Sequence, residues 1–181
     1  ELKKFNELVG LFEKHAGTYE FDYLMLMAQG YQESQLNQAA RSPRGAVGIM
    51  QLLPTTAADP VVGIKGIDKS ADKNIEAGSK YMRVLADKYL DDPELTPMNK
   101  TLLSFAAYNA GPGNLRKFRR LAEKSGLDKN VWFGNVEHSA ARVVGRETVD
   151  YVGNIYKYYV AYKLAEDKHR KRRVLTHKTE H

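Results

Sequence analysis

YQESQLNQAARSPRGAVGIMQLL, residues 31–53, is the stretch from which this chain can be read. Its first residues close a run with helical spacing and carry one carboxylate, Glu33. A polar turn region follows, with Ser42, Pro43, Arg44, Gly45 and Gly48. The stretch ends on Met50 and Gln51, just before Pro54. A helix end that delivers one acid into a glycine-containing loop is a common way to build a cleft. Serine and glutamine beside it supply neutral hydrogen-bonding groups suited to a polar, uncharged substrate. No Asp or Glu lies between Glu33 and Asp59, so the stretch holds a single acid and not a pair.

The flanking sequence reads as helix. Leu2, Phe5, Leu8, Val9 and Phe12 recur at helical spacing up to Gly17. Asp22 is placed to cap a second helix through Leu24, Met25, Ala28 and Tyr31, with Glu33 in its last turn. Ile49–Leu53 reads as a short helical turn stopped by Pro54, and Pro60, Gly63 and Gly66 mark turns after it. Ile75, Gly78, Tyr81, Met82, Leu85 and Tyr89 share one face of a helix starting near Ser70 or Asp72 and broken at Asp91-Asp92-Pro93. Thr96-Pro97 is an N-cap followed by proline at the first helical position. That helix runs into Tyr108-Asn109 and stops at Gly111-Pro112-Gly113.

Asn114 is placed to cap a short basic helix reaching about Lys124. Residues 126–145 read as a long loop with helical turns, pinned to the core by Trp132 and Phe133. From Arg146 a long helix turns Val149, Val152, Ile155, Tyr156, Tyr159 and Val160 inward and frays after Asp167. No period-2 run is long enough for a strand. The patterns predict a mostly α single domain over residues 1–167 with little or no β, and a flexible basic tail over 168–181.

At 181 residues the chain is long enough to bury a real core as one domain. Its net charge of +6 invites a nucleic-acid reading, so the location of the charge matters. Residues 168–181 hold six Lys and Arg against Glu180 alone, a local +5, which leaves +1 for the body. A near-neutral body without an interleaved aromatic and basic surface argues against nucleic acid as a partner. The tail itself reads as solvated, with anionic polymers or lipid head groups as the alternative. The absence of Cys excludes disulfides and thiolate metal sites. His15 and His138 stand isolated, and no His/Asp/Glu set has metal-ligand spacing, so neither metal nor cofactor is expected. No window approaches the ~18 consecutive apolar residues of a membrane span. Residue 1 is Glu and not Met, which reads as a processed chain or an excised piece with any leader or lipid anchor upstream.

Three places offer polar groups at helix ends or turns: Glu33 to Gln51, Tyr108-Asn109, and Glu147. A Glu late in an apolar helix is partly desolvated if it faces inward, and desolvation raises a carboxyl pKa. Such a group holds a proton near neutrality and can donate it to a leaving oxygen. On position alone a surface acid explains Glu33 as well. Tyr108-Asn109 can equally be a plain helix stop, and Glu147 is satisfied by the macrodipole of the helix it begins. Met50 and Leu53 read as core or groove wall. No phosphate-binding glycine loop and no GxSxG elbow occurs.

Together the motifs are more specific. ES, SPRGAVGIMQLLPTTA, NIEAGSKYM, AAYNAGPG and ETVDYVGNI, in that order, resemble the soluble-lytic-transglycosylase catalytic domain from about Asp22 to Tyr159. Within that family the spacing is most similar to the F branch of the membrane-bound lytic murein transglycosylases. The resemblance implies a lysozyme-like fold acting on the glycan strands of bacterial peptidoglycan. It also implies a monomer in the periplasm or cell envelope, attached to the outer membrane in the full-length protein. By the same likeness Glu33 is the sole catalytic acid/base, and Ser42 lies near the N-acetyl group of the reacting sugar. Met50 and Gln51 line the cleft, Tyr108 and Asn109 bring a hydroxyl and an amide, and Glu147 faces the groove. Leu53 stands where some relatives carry Met, a change that conserves volume.

Most glycosidases use two carboxylates. The resemblance implies one, with the substrate's acetamido oxygen as nucleophile and a 1,6-anhydromuramic product. A goose-type lysozyme-like hydrolase, with Glu147 or Asp59 activating water, is the alternative on the same fold. A peptidoglycan-binding module without catalysis is the alternative outside enzymes.

Overall fold

Helix α1 (Leu2–Tyr19) and helix α2 (Tyr23–Ser34) meet at a short corner. Glu20, at φ +62°, turns the chain, and Asp22 caps the second helix by accepting from the Leu24 N–H at 2.8 Å. The computed structural model describes residues 2–180. Glu1 and His181, the outer ends of the two expected segments, lie outside the described residues. Helix α1 runs through Gly17, where the sequence pattern would stop it. A glycine inside a helix costs only about 1 kcal/mol, which the packing of Phe12 and Ala16 offsets. His15 is not isolated: it is buried, and its Nε2 meets Asp72 Oδ1 at 2.5 Å, tying α1 to the fourth helix.

Every residue from Leu24 to Gly30 is buried, so α2 is the axis of the domain. Helix α3 (Pro54–Ala58) is short, and α4 (Ala71–Tyr89) starts at a Ser70 cap. Helix α5 (Pro97–Ala110) starts at Thr96-Pro97 as the sequence predicts. Helix α6 (Pro112–Lys124) begins two residues before the expected cap, because Gly111 at φ +91° lets Pro112 open it. Asn114 instead donates from Nδ2 to the Ala110 carbonyl at 2.8 Å.

The stretch expected to be a long loop contains a wide, distorted turn at Trp132–Val136 and then α7 (Glu137–Val144). Glu137 starts α7 by accepting from the Gly134 N–H at 2.7 Å, while Trp132 and Val136 are buried. Phe133 is not a core anchor; it sits on the surface with its ring edge against Tyr156.

Helix α8 (Glu147–Thr179) is the longest element. It does not fray after Asp167 but continues for three more turns. No Gly or Pro interrupts it there, Lys and Arg are good helix formers, and Arg170 pairs with Glu166 one turn back at 2.9 Å. Val152 and Ile155 face inward as expected, but Val160 lies on the outer face.

The main core joins α1, α2, α4, α5, α6, α7 and α8 around Phe12, Leu26, Met27, Phe105, Trp132 and Val152. A smaller one, with Val47, Leu52, Ala57, Val62, Ile67 and Ala77, lies under the loop after α2. Ile49–Leu53 is not helical. Isolated antiparallel bridges join Val47 to Arg41 and to Leu52, and the described residues form no sheet. No described helix is long and apolar enough to cross a membrane.

Candidate active site

Glu33 is the penultimate residue of α2, and the way that helix ends sets its environment. Gln35 and Leu36 both take left-handed backbone angles, at φ +55° and +62°, so the chain leaves the axis directly after Ser34. Ser34 Oγ donates to Ile49 O at 2.8 Å and ties the helix end to the returning loop. Side chains of the loop and of α1 pack directly on the α2 backbone here. A Cβ on Gly30 would meet Ile49, Phe12 and Leu36 at 3.0–3.2 Å.

The loop from Ser42 to Gln51 is held by its own polar groups and two amides, buried Asn74 and half-buried Gln38. Ser42 Oγ accepts from the Ala46 N–H at 3.0 Å, and Gln51 Nε2 donates to Gly48 O at 2.9 Å and Ala40 O at 3.2 Å. Asn74, fully buried on α4, donates to Val47 O and Ile67 O and accepts from Met50 N at 2.7 Å. Gln38 accepts from Ile49 N and donates to Ile67 O. Met50 is placed in the core and not on a cleft wall. Its side chain is fully buried against Gly78, where a Cβ would come within 2.7 Å of Met50 Cγ. Its carbonyl accepts from the Tyr108 hydroxyl at 2.7 Å.

Two elements close on Glu33 from the far side. Tyr151 of α8 donates its hydroxyl proton to Glu33 Oε2 at 3.0 Å. Behind it, buried Gln29 donates from Nε2 to the Tyr151 oxygen at 3.2 Å. A phenol has one proton, so a donor on its oxygen leaves that proton for the carboxylate. Asn109 accepts from Thr148 Oγ1 at 2.8 Å, which fixes the end of α5 to the start of α8. Glu147 is exposed at the first position of α8. It lies one turn, about 6 Å, before Tyr151 on the same side of the helix.

Burial pushes the Glu33 carboxyl up to about 7, against the opposing pull of the Tyr151 hydrogen bond. The carbonyl end of α2 acts in the same upward direction, because negative charge is disfavoured there. Burial, followed by the Glu33 charge, raises the phenols of Tyr108 and Tyr151 well above their ordinary range, so both remain neutral donors. A carboxyl poised near neutrality beside the neutral Tyr151 hydroxyl can give and take a proton at one point.

The structure thus groups Glu33, Tyr108 and the Met50 carbonyl, with Asn109 in the frame that positions α8. Ser42 and Gln51, both partly exposed, brace the adjoining loop, and Glu147 stands at the exposed start of α8. Tyr151, Gln29, Asn74 and Gln38 escaped the sequence reading. The signal for Tyr151 was its place one turn after Glu147 in ETVDYVGNI, on the stripe shared by Thr148, Val152 and Ile155. A hollow of about 870 Å³ between the start of α2, α4 and the start of α5 contains none of these residues.

Comparison with known proteins identifies the family. The transglycosylase SLT domain family matches residues 10–131. Membrane-bound lytic murein transglycosylase F 1 of Alkalilimnicola ehrlichii is 35% identical over 165 residues, covering 82% of this chain and 32% of the relative. Membrane-bound lytic murein transglycosylase F of Marinobacter nauticus is 34% identical over 164 residues, covering 82% and 31%. Among solved structures, the 70 kDa soluble lytic transglycosylase SLT70 of Escherichia coli aligns with a TM-score of 0.66 at 28% identity. An inactive Glu→Gln mutant of lytic transglycosylase Slt from Pseudomonas aeruginosa aligns with a TM-score of 0.64 at 26% identity. Each alignment covers 87% of this chain and 24% of the solved one. The chain spans about a third of the length of the curated relatives it matches. Its fold is the lysozyme-like one, and the chain belongs to the transglycosylase SLT domain family.

Proposed function

We propose that this chain is the catalytic module of a peptidoglycan lytic transglycosylase of the bacterial cell envelope. It cleaves the β-1,4 bond between N-acetylmuramic acid and N-acetylglucosamine. The observation that carries the reading is Glu33, a partly buried carboxyl with its pKa raised to about 7 and a tyrosine hydroxyl as its hydrogen-bond partner. The matched relatives are named as murein transglycosylases, and one solved neighbour is described as inactive once a Glu is changed to Gln. Both support the same reading.

In this mechanism protonated Glu33 gives its proton to the bridging oxygen as the bond to C1 of the muramic sugar breaks. The acetamido oxygen of that sugar attacks C1 and takes up the developing positive charge as an oxazolinium ion. Ionised Glu33, held by Tyr151, then removes the proton of the 6-hydroxyl, whose oxygen closes a 1,6-anhydro ring as the acetamido bond to C1 opens. No water is consumed, so one carboxyl suffices. The Ser42 and Gln51 loop orients the acetamido group, and Glu147 borders the groove.

The test is clearance of purified sacculi followed across about pH 5 to 9, where the general acid must carry a proton to act. The alkaline limb of kcat/KM is expected to turn over near 7, the value to which burial raises Glu33. Tyr151→Phe removes the hydrogen bond that lowers this pKa, so the limb moves to higher pH. The rate at the optimum should fall about two- to tenfold, the worth of one hydrogen bond. Sacculi left intact at every pH, or a profile flat through neutrality, would contradict the proposal.

A further inference from the structure

Helix α8 has two unlike halves. Through Tyr162 it packs on the main core, and the Tyr23 hydroxyl donates to Glu166. From Lys168 to Glu180 every residue is exposed, and the hydrogen bonds and ion pairs of this stretch stay within α8. An isolated helical segment of this length is marginal in water, so its stability depends on what it lies against.

The outer face has a pattern. At 100° per residue Lys157, Val160, Leu164, Lys168, Lys171, Leu175 and Lys178 fall in one stripe about 80° wide. That stripe lies half a turn around from Thr148, Tyr151, Val152 and Ile155, which face the body. Its aliphatic members are exposed: Val160 by 38%, Leu164 and Leu175 by 64% each, with Val174 beside them at 52%. Arg172 flanks it, whereas Arg170 and Arg173 lie farther round the helix.

We propose that this outer face of α8 docks on an anionic phospholipid bilayer, with the helix lying along the surface and the catalytic body on its far side. Charge complementarity selects the occupant. Lys157, Lys168, Lys171 and Lys178 on the stripe, with Arg172 beside them, repel a second copy of the same face. A polyanionic polymer would satisfy the cations but leave Leu164, Val174 and Leu175 in water. A headgroup layer takes up both, because aliphatic side chains insert at the acyl boundary while Lys stems reach back to the phosphates. The inference does not depend on the reaction at Glu33.

The test is co-sedimentation of the chain with vesicles of equimolar phosphatidylglycerol and phosphatidylcholine, and with vesicles of phosphatidylcholine alone. Binding is expected to the anionic vesicles, at least about tenfold weaker to the neutral ones, and to fall steeply with added salt. Lys168→Glu with Lys171→Glu should lower it at least about tenfold. Leu164→Ser with Leu175→Ser should also lower it at unchanged charge, with the helical circular dichroism of the body and sacculus clearance retained. Equal binding to both vesicles, or none to either, overturns the proposal. So does anionic binding that the double serine variant leaves untouched, which would make the face a simple polyanion site.

Discussion

Glu33→Gln is expected to abolish cleavage of peptidoglycan and, above neutral pH, to make the protein more stable. The first effect follows because an amide has no proton to give at the bridging oxygen. The second follows from linkage. Glu33 is raised from 4.5 to about 7 in the fold, so its favourable contribution is fully present below 4.5. That contribution is lost as the pH rises through 7, where the fold must hold a desolvated carboxylate. A shift of this size corresponds to at most about 3 kcal/mol, and the partial exposure of Glu33 brings the expected gain at pH 8 to about 1–3 kcal/mol. Near pH 4 the carboxyl is neutral in both states, and the variant should gain nothing. Urea melts of the two proteins at pH 8 and pH 4 measure the difference. Equal stability at both pH values would mean that Glu33 is well solvated, and the case for its role as an acid would fail.

The second large effect is expected at Gly48. The residue has φ +78°, and a Cβ there would lie 2.2 Å from Asn74 Nδ2 and 2.7 Å from Gln38 Oε1. Gly48→Ala therefore adds about 1–2 kcal/mol of left-handed backbone strain. It also drives a wedge into the two amides that hold the loop, and each stranded buried partner costs about 1–3 kcal/mol more. The total should reach about 3–5 kcal/mol. Activity should fall with it, since the Met50 carbonyl that anchors Tyr108 is part of the same loop. Gly45→Ala is the control: its φ is +91°, but a Cβ there meets nothing within 4 Å, so it should cost only the strain. Similar thermal shifts for the two variants would show that the Asn74 and Gln38 clamp is not what fixes the loop.

What could be read from the sequence was local. Asp22, Ser70 and Thr96-Pro97 mark helix starts because a cap acts within a few residues of itself. Glu33 stands out locally as a lone acid closing an apolar helix, but its position alone fits a surface acid as well, and only the set of motifs assigns it a role. Tyr151 and Asn74 do not stand out, because their hydrogen bonds join positions 118 and 24 residues away. Periodicity carries no record of such pairings. An apolar residue in a loop, such as Met50, fits either a groove wall or a core, and only Gly78 across from it decides for the core. Helix α7 was missed because it is short and framed by Gly134 and Gly145. The far end of α8 is hidden in the sequence because a terminal run of charge patterns like a tail, although Lys and Arg favour helix.

The most direct measurement is mass spectrometry of the soluble muropeptides released from purified peptidoglycan, before and after borohydride treatment. Muropeptides one water lighter than hydrolysis products, and unchanged by borohydride, are the result expected if Glu33 acts alone and the sugar's own 6-hydroxyl closes the ring. Full-mass products with reducible ends would contradict that mechanism. They would require a water-activating carboxylate, with Glu147 as the first residue to replace.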